Sequence, residues 1–177
     1  CSGWGDRLTG FLASKAATYT GFDPNLRLHE GYRAQVACAE RNGDAVIHWL
    51  PFEKAELADS SFDFAFTSPP YFNIERYSKD EGQSFNYKTL DVWLSKFLFP
   101  LVEKTFESLK PNGRMIVNIS DVYSGHQINK ICDAMNDRLE EVGAREGKHF
   151  VYRMAKRVGS KANGSVFGEP CWVWKKR

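Results

Sequence analysis

Hydrophobic positions along the chain follow two periods. Phe62-Asp63-Phe64-Ala65-Phe66-Thr67 is a nearly continuous apolar run of strand length. It has the pattern of a strand buried on both faces of a parallel sheet, and it stops at Pro69-Pro70. Further on, Leu90, Trp93, Leu94, Phe97, Leu98, Leu101, Val102, Phe106 and Leu109 are spaced by threes and fours. That spacing predicts an amphipathic helix from Thr89 to Leu109, kinked at Pro100. A second such helix is predicted from Ile128 to Val142, with shorter ones at Leu8–Ala17 and Leu26–Ala39. Strands are predicted at Tyr19–Asp23, Ala45–Trp49 and Arg114–Ser120, then at His149–Arg157 and Pro170–Lys175. Asp23-Pro24-Asn25, Arg41-Asn42-Gly43-Asp44 and Lys110-Pro111-Asn112-Gly113 read as turns, and Phe72–Lys88 as a long loop.

Strands alternating with helices, then a strand pair with no helix between, predict a three-layer α/β fold. Its sheet is mostly parallel, with one antiparallel strand near an edge. The 177 residues are 42% hydrophobic and 26% charged, which excludes wholesale disorder and suits a single domain over residues 1–177. A chain of this length buries a sizeable core without disulfides. Net charge is only +2, with pI near 8.3, which permits a nucleic-acid partner without the basic footprint that announces one. Cys1, Cys38, Cys132 and Cys171 are widely separated, so neither a zinc site nor a disulfide framework is expected, and no metal. A reducing cytoplasm follows as the expected location. No apolar run approaches the roughly 18 residues of a membrane span, and no secretory leader opens the sequence.

The candidate chemistry lies at predicted strand ends. Gly3-Trp4-Gly5 opens a helix and lets a ligand lie against the backbone, although a plain turn reads the same way. Asp23 closes a strand roughly 20 residues on, where a nucleotide fold places a carboxylate for both ribose hydroxyls; it also reads as a turn-former before Pro24. Phe52 and Glu53 end the next strand, with Glu53 placed to accept from an exocyclic amine and Phe52 to lie against the ring. A solvated glutamate beginning a helix is the other reading. Ser68-Pro69-Pro70-Tyr71 is the most informative segment. Two prolines fix φ and remove two backbone donors, leaving carbonyls as acceptors, with flat Pro70 and Tyr71 as a stacking face. Phe72, Arg76 and Tyr77 begin an aromatic-rich loop that reads as a substrate lip or as a mobile surface loop. Lys156, Arg157 and Lys161, with the terminal Lys175-Lys176-Arg177, meet phosphates or simply solvent. His29, His48, His126 and His149 are scattered and receive no role.

Ser68-Pro69-Pro70-Tyr71 resembles the catalytic S/D/N-P-P-Y/F motif of the amino-group DNA methyltransferases. Cys1-Ser2-Gly3-Trp4-Gly5 is similar to the later part of that family's cofactor motif, D-P-[FC]-x-G-x-G. The likeness spans nearly the whole chain in the family's motif order. The family's Asp-Pro and the strand leading into it are absent from this sequence, so the resemblance implies a Rossmann-like class I methyltransferase sheet whose first strand is missing, a domain truncated at its N-terminus. It further implies S-adenosyl-L-methionine as cofactor, held by Cys1, Gly3, Gly5, Asp23, Phe52 and Glu53. The implied reaction is methyl transfer to cytosine N4 or adenine N6 in double-stranded DNA, the target base being flipped from the duplex.

The Ser68 side chain and the Pro69 carbonyl would hold the amine while Tyr71 stacks on the base. Serine in the first motif position leans toward cytosine. A bacterial or phage source and a restriction-modification setting belong to the same implication. Two alternatives stand beside it: the same chemistry on RNA or a protein amide, and an inactive nucleotide-binding scaffold. No interval is long enough for a separate target-recognition domain, so sequence specificity is expected from the lip, the late loop or residues outside this sequence.

Overall fold

The computed structural model describes residues 2–39, 44–77, 82–124, 127–146, 149–153 and 168–177. Cys1 and the late-loop residues Lys156, Arg157 and Lys161 lie outside them. Along the chain come α1 (Asp6–Leu12), β1 (Thr18–Phe22), α2 (Leu26–Cys38), β2 (Asp44–His48), β3 (Phe62–Thr67), α3 (Leu90–Trp93), α4 (Phe99–Ser108) and β4 (Leu109–Asn118). These are followed by β5 (Val122–Ser124), β6 (Gln127–Asn129), α5 (Ile131–Glu141), β7 (Arg145–Glu146), β8 (Phe150–Arg153) and β9 (Gly168–Lys175). The elements form two compact units. The first holds Cys1–Leu57 and Pro70–Leu101, the second Ala58–Pro69 and Val102–Arg177.

In the first unit β1 and β2 pair in parallel, Thr18 opposite Asp44 through Phe22 opposite His48. Leu8 and Phe11 of α1 and Tyr32 of α2 form the buried cluster against which Tyr19, Leu28, Val36, Ala45 and Ile47 pack. Helix α1 ends earlier than its pattern predicts, at Leu12 rather than Ala17. Ser14 is the reason: its hydroxyl donates to the Phe11 carbonyl at 2.8 Å and accepts from the Ala16 N–H at 3.1 Å, drawing the backbone out of the helix. A second apolar group is aromatic, with Trp93 fully buried between Phe72 (6.0 Å) and Phe97 (5.3 Å). The kink expected at Pro100 takes the form of a π-helical turn, Leu94–Leu98, directly before α4. A proline cannot donate to the preceding turn, and a wider turn there accommodates the missing bond.

The second unit is a mixed sheet in the order β3-β4-β9-β7, with β8 also on β9. Strands β3 and β4 are parallel, and β9 runs antiparallel to β4, β7 and β8. The late pair therefore supplies the antiparallel strand, as its lack of a connecting helix predicts. The Lys110–Gly113 turn interrupts β4 itself: Phe62 is opposite Leu109 but Phe64 is opposite Arg114, and Asn112 takes a left-handed φ of 65°. From Gly113 on, alternate residues are buried, with Met115, Val117 and Ile119 fully so.

Strand β3 corrects an expectation. Its apolar run predicts burial on both faces, yet Phe64 is 57% and Phe66 43% exposed. The strand ends its sheet, with β4 its sheet partner among the described residues, and the pleat places both rings on one face. Residues 127–129, whose last two were predicted as helix, instead pair with β5 as β6, and α5 starts at Ile131. The Asp121 carboxylate accepts from the Cys132 N–H at 2.9 Å and thus caps that helix from outside it. Ile131, Cys132, Met135 and Leu139 make its buried stripe. Leu139→Ala should cost about 2–5 kcal/mol, read as a lower denaturant midpoint with unchanged slope.

Candidate active site

The glycine turn is built against the carboxyl end of β1. The Ser2 N–H donates both to the Phe22 carbonyl (3.0 Å) and to Asp23 Oδ2 (3.1 Å), while Ser2 Oγ donates to the Phe22 carbonyl (3.2 Å). Gly3 and Gly5 have φ of 66° and 105°, left-handed values that favour glycine. A side chain at either position would also have to displace the tip of a neighbouring one. A Cβ on Gly3 would lie 2.2 Å from Arg7 Nη1, and one on Gly5 2.6 Å from the Gln35 amide. The Tyr32 hydroxyl donates to the Gly3 carbonyl from α2, so the turn is held from both sides.

Asp23 is 8% exposed. Its Oδ1 accepts the Asn25 N–H (3.0 Å) as Oδ2 accepts that of Ser2, and its carbonyl meets His29 Nε2 at 3.0 Å. The turn-forming reading of Asp23 is therefore realised in full, while a carboxylate with about four acceptor positions has capacity beyond these two bonds. Around it stand Arg7, Tyr19 and Tyr77. Burial lowers the Arg7 pKa against the opposing fields of Tyr19, Asp6, Tyr77 and Asp23. Burial likewise raises that of Tyr19, opposed by its hydrogen bond with Ser2 and by Arg7.

Phe52 and Glu53 lie on a short 3-10 turn after β2. Phe52 meets Phe22 edge-on at 5.2 Å, and Phe22 stacks on His48 at 4.9 Å, so the end of the strand pair is an aromatic floor. Glu53 is pushed above the usual carboxylate range, chiefly by burial; the hydrogen bond from Tyr87 acts the other way. Tyr87, in the segment that the sequence predicts as loop, hydrogen-bonds the candidate residue Glu53, a contact that the sequence pattern does not single out.

Ser68 and Pro69 close β3 in the second unit, Pro69 buried and Ser68 half-buried, and the chain enters the first unit at Pro70. There the Tyr71 N–H donates to Glu75 Oε2 at 3.0 Å, across a turn in which Asn73 has a left-handed φ of 54°. Tyr77 also hydrogen-bonds Glu75, and burial followed by that bond raises its pKa. The Tyr77 ring then meets Trp4 of the glycine turn edge-on at 6.3 Å. Trp4 is 70% exposed and Tyr77 43%, so both rings present aromatic surface to solvent. Phe72, expected on the lip, is instead buried against Trp93. Arg76 lies 5.5 Å from the Phe85 ring centroid and Lys88 4.4 Å, giving that ring two cationic neighbours. Among the described residues no three His, Cys, Asp or Glu side chains gather as a metal site, and no helix is long and apolar enough to cross a membrane.

Burial of Glu53 couples stability to pH. Its folded pKa lies above the ordinary 4.5, so the folded chain holds this proton more tightly than the unfolded chain. Its contribution to stability is present below 4.5 and is lost as pH rises through the folded value. Glu53→Gln should flatten that decline, measured as denaturant midpoints across the acid range.

No protein-family model and no curated protein matches the sequence. Solved structures do match. An S-adenosylmethionine-dependent methyltransferase from Mesorhizobium loti superposes with a TM-score of 0.63 at 11% identity, covering 99% of this chain and 88% of its own. One from Methanosarcina mazei gives 0.55 at 14%, covering 95% and 86%. A provisionally assigned DNA modification methylase from Thermus thermophilus, solved with S-adenosyl-L-methionine, gives 0.50 at 15% and covers 91% of this chain. This chain spans 56% of that protein's length. At such identities the likeness is one of architecture: the α/β fold is that of the Rossmann-like S-adenosylmethionine-dependent methyltransferases.

Proposed function

We propose that the chain is the catalytic part of an S-adenosyl-L-methionine-dependent methyltransferase that modifies the exocyclic amino nitrogen of cytosine (N4) or adenine (N6) in double-stranded DNA. The observation that carries this reading is the Ser68–Tyr71 segment, a stiff, donor-poor turn at the carboxyl end of a parallel strand. Ligands of open α/β sheets are taken up at that end of the strands. The glycine turn and Asp23 occupy the carboxyl end of β1 in the same way.

The residues of the first unit fit an adenosyl group. Asp23 is buried, and each of its oxygens takes one backbone N–H, leaving acceptor capacity for the two ribose hydroxyls. Glu53 accepts from the adenine amine, with Phe52 beside the ring. When bound, the cofactor supplies an electrophilic methyl group on a sulfonium. The rest of the work belongs to the protein. An amine on a base has its lone pair delocalised into the ring and is a poor nucleophile. Ser68 Oγ and the Pro69 carbonyl accept its two hydrogens and hold the nitrogen as its lone pair turns out of conjugation. Positive charge developing on that nitrogen as it takes the methyl group is then met by fixed acceptors that need no reorganisation, and loss of one N–H proton to solvent, with the cofactor left as a neutral thioether, would complete the exchange. Tyr71 stacks on the extruded base and replaces part of the stacking it loses, and Arg76 and Tyr77 of the lip contact the strand that carries it.

Incubation with methyl-labelled cofactor and a panel of duplex DNA, transfer RNA and protein should place label on DNA. Label on RNA or protein alone would overturn the DNA assignment, and no cofactor binding by calorimetry would favour the scaffold reading. Ser68→Ala with Tyr71→Ala should lower transfer by about 100-fold or more while cofactor affinity stays within about threefold of the parent. Equal loss of both would refute the division of roles.

A further inference from the structure

We propose that Glu75 is a specificity-determining positioning residue: by taking the Tyr71 N–H it makes the Pro69-Pro70-Tyr71 backbone an acceptor-only surface, selecting a base that presents an amine over one that presents a carbonyl. The assignment rests on the amino-methyltransferase reading and adds to it a residue that no motif contains. Pro69 and Pro70 have no N–H, so Tyr71 carries the only backbone donor of these three residues. That donor is engaged by Glu75 Oε2 at 3.0 Å. The turn that brings Glu75 back is local: the Ile74 N–H approaches the Tyr71 carbonyl at 3.5 Å, and Asn73 supplies the left-handed residue.

The consequence is one of polarity. An amine hydrogen meets the motif's carbonyl oxygens favourably. A carbonyl at the same position, as in uracil or hypoxanthine, meets the lone pairs of those backbone carbonyls with no proton between them, which leaves donation to the Ser68 hydroxyl. A site built to accept hydrogen bonds from an NH discriminates strongly against the analogue that lacks it, because its own groups are left unpaired. Were the Tyr71 N–H free, it would donate to a carbonyl and weaken that discrimination. Glu75 also reaches the lip, since Tyr77 bonds to it and packs on Trp4. One carboxylate thus ties Tyr71, the lip and the glycine turn together within the first unit.

Two measurements test this on the intact protein. The first is amide exchange at Tyr71 by NMR, which needs no variant. Protection is expected in the parent and in Glu75→Gln, whose amide oxygen still accepts, and loss of protection in Glu75→Ala. A Tyr71 amide exchanging in the parent at the rate of an unstructured peptide would overturn the proposal. The second is binding of short single-stranded oligomers of dC against dU and dA against dI by fluorescence anisotropy. The parent and Glu75→Gln should favour the amine member of one pair by about fivefold or more, and Glu75→Ala should bring that ratio within about twofold of unity. A parent preference that survives in Glu75→Ala would remove the role of Glu75 and leave the amine reading intact. No preference in the parent, with the Tyr71 amide protected, would remove the amine reading and this role with it.

Discussion

A single buried carboxylate organises the front of the first unit. A carboxylate taken out of water is tolerated only where hydrogen bonds replace its hydration. Asp23 meets that condition by bonding backward to Ser2 and forward to Asn25. The backward bond fixes the glycine turn against β1, and the forward bond fixes the residue whose own side chain caps α2 at Arg27. His29 of α2 meets the Asp23 carbonyl, and Tyr32 of the same helix reaches the Gly3 carbonyl. Turn, strand end and helix start are therefore set by one residue and by the helix it starts. The left-handed glycines follow from this constraint, because the chain must leave Ser2 and enter α1 within three residues.

In the second unit the corresponding constraint is the β3–β4 ladder. Thr67, immediately before Ser68, lies opposite Val117, which is fully buried. The exposed side of β3 thus does not loosen its end, because register is set by the buried strand beside it. That strand is in turn held by β9. Met115 is opposite Trp174, both fully buried, and the Trp172 indole donates to the Ile119 carbonyl at 3.1 Å. The Lys110–Gly113 interruption is bridged from the same side, with the Asn112 N–H bonded to the Lys176 carbonyl and the Lys176 N–H to that of Gly113.

Periodicity and turn chemistry made much of this legible. Asn25 and Thr89 cap helices where the apolar period begins, and the late strand pair announced the antiparallel strand. What escaped the pattern depends on partners distant in sequence or on single polar atoms. The exposure of Phe64 and Phe66 reflects where β3 falls in its sheet, which composition does not encode. The early end of α1 turns on one serine hydroxyl, and the late start of α5 on the Asp121 carboxylate that precedes it. Within the site, Gly3, Gly5, Asp23 and Glu53 stood out because strand ends are where an α/β fold binds ligands. Phe72 looked like its aromatic neighbours in the lip, and only the position of Trp93 assigns it to the core. Glu75 and Tyr87 carried no signal, because each acts through hydrogen bonds whose partners only the folded loop brings near.

Two prolines remove freedom from the chain before Tyr71, lowering the entropy that ordering the motif costs. They cannot close a turn with their own N–H groups, so closure falls to the residues that follow. Asn73 adopts the left-handed region, for which asparagine is among the better-suited side chains. The backbone bond it permits is long, 3.5 Å from the Ile74 N–H to the Tyr71 carbonyl. The shorter bond is the one from the Tyr71 N–H to the Glu75 carboxylate, a charge-assisted contact of the stronger kind. Rigidity ahead of Tyr71 comes from covalent rings, and rigidity behind it from one side chain. The same division leaves the segment without a free backbone donor from Pro69 to Tyr71, so the means of holding the motif still and the means of setting its polarity coincide.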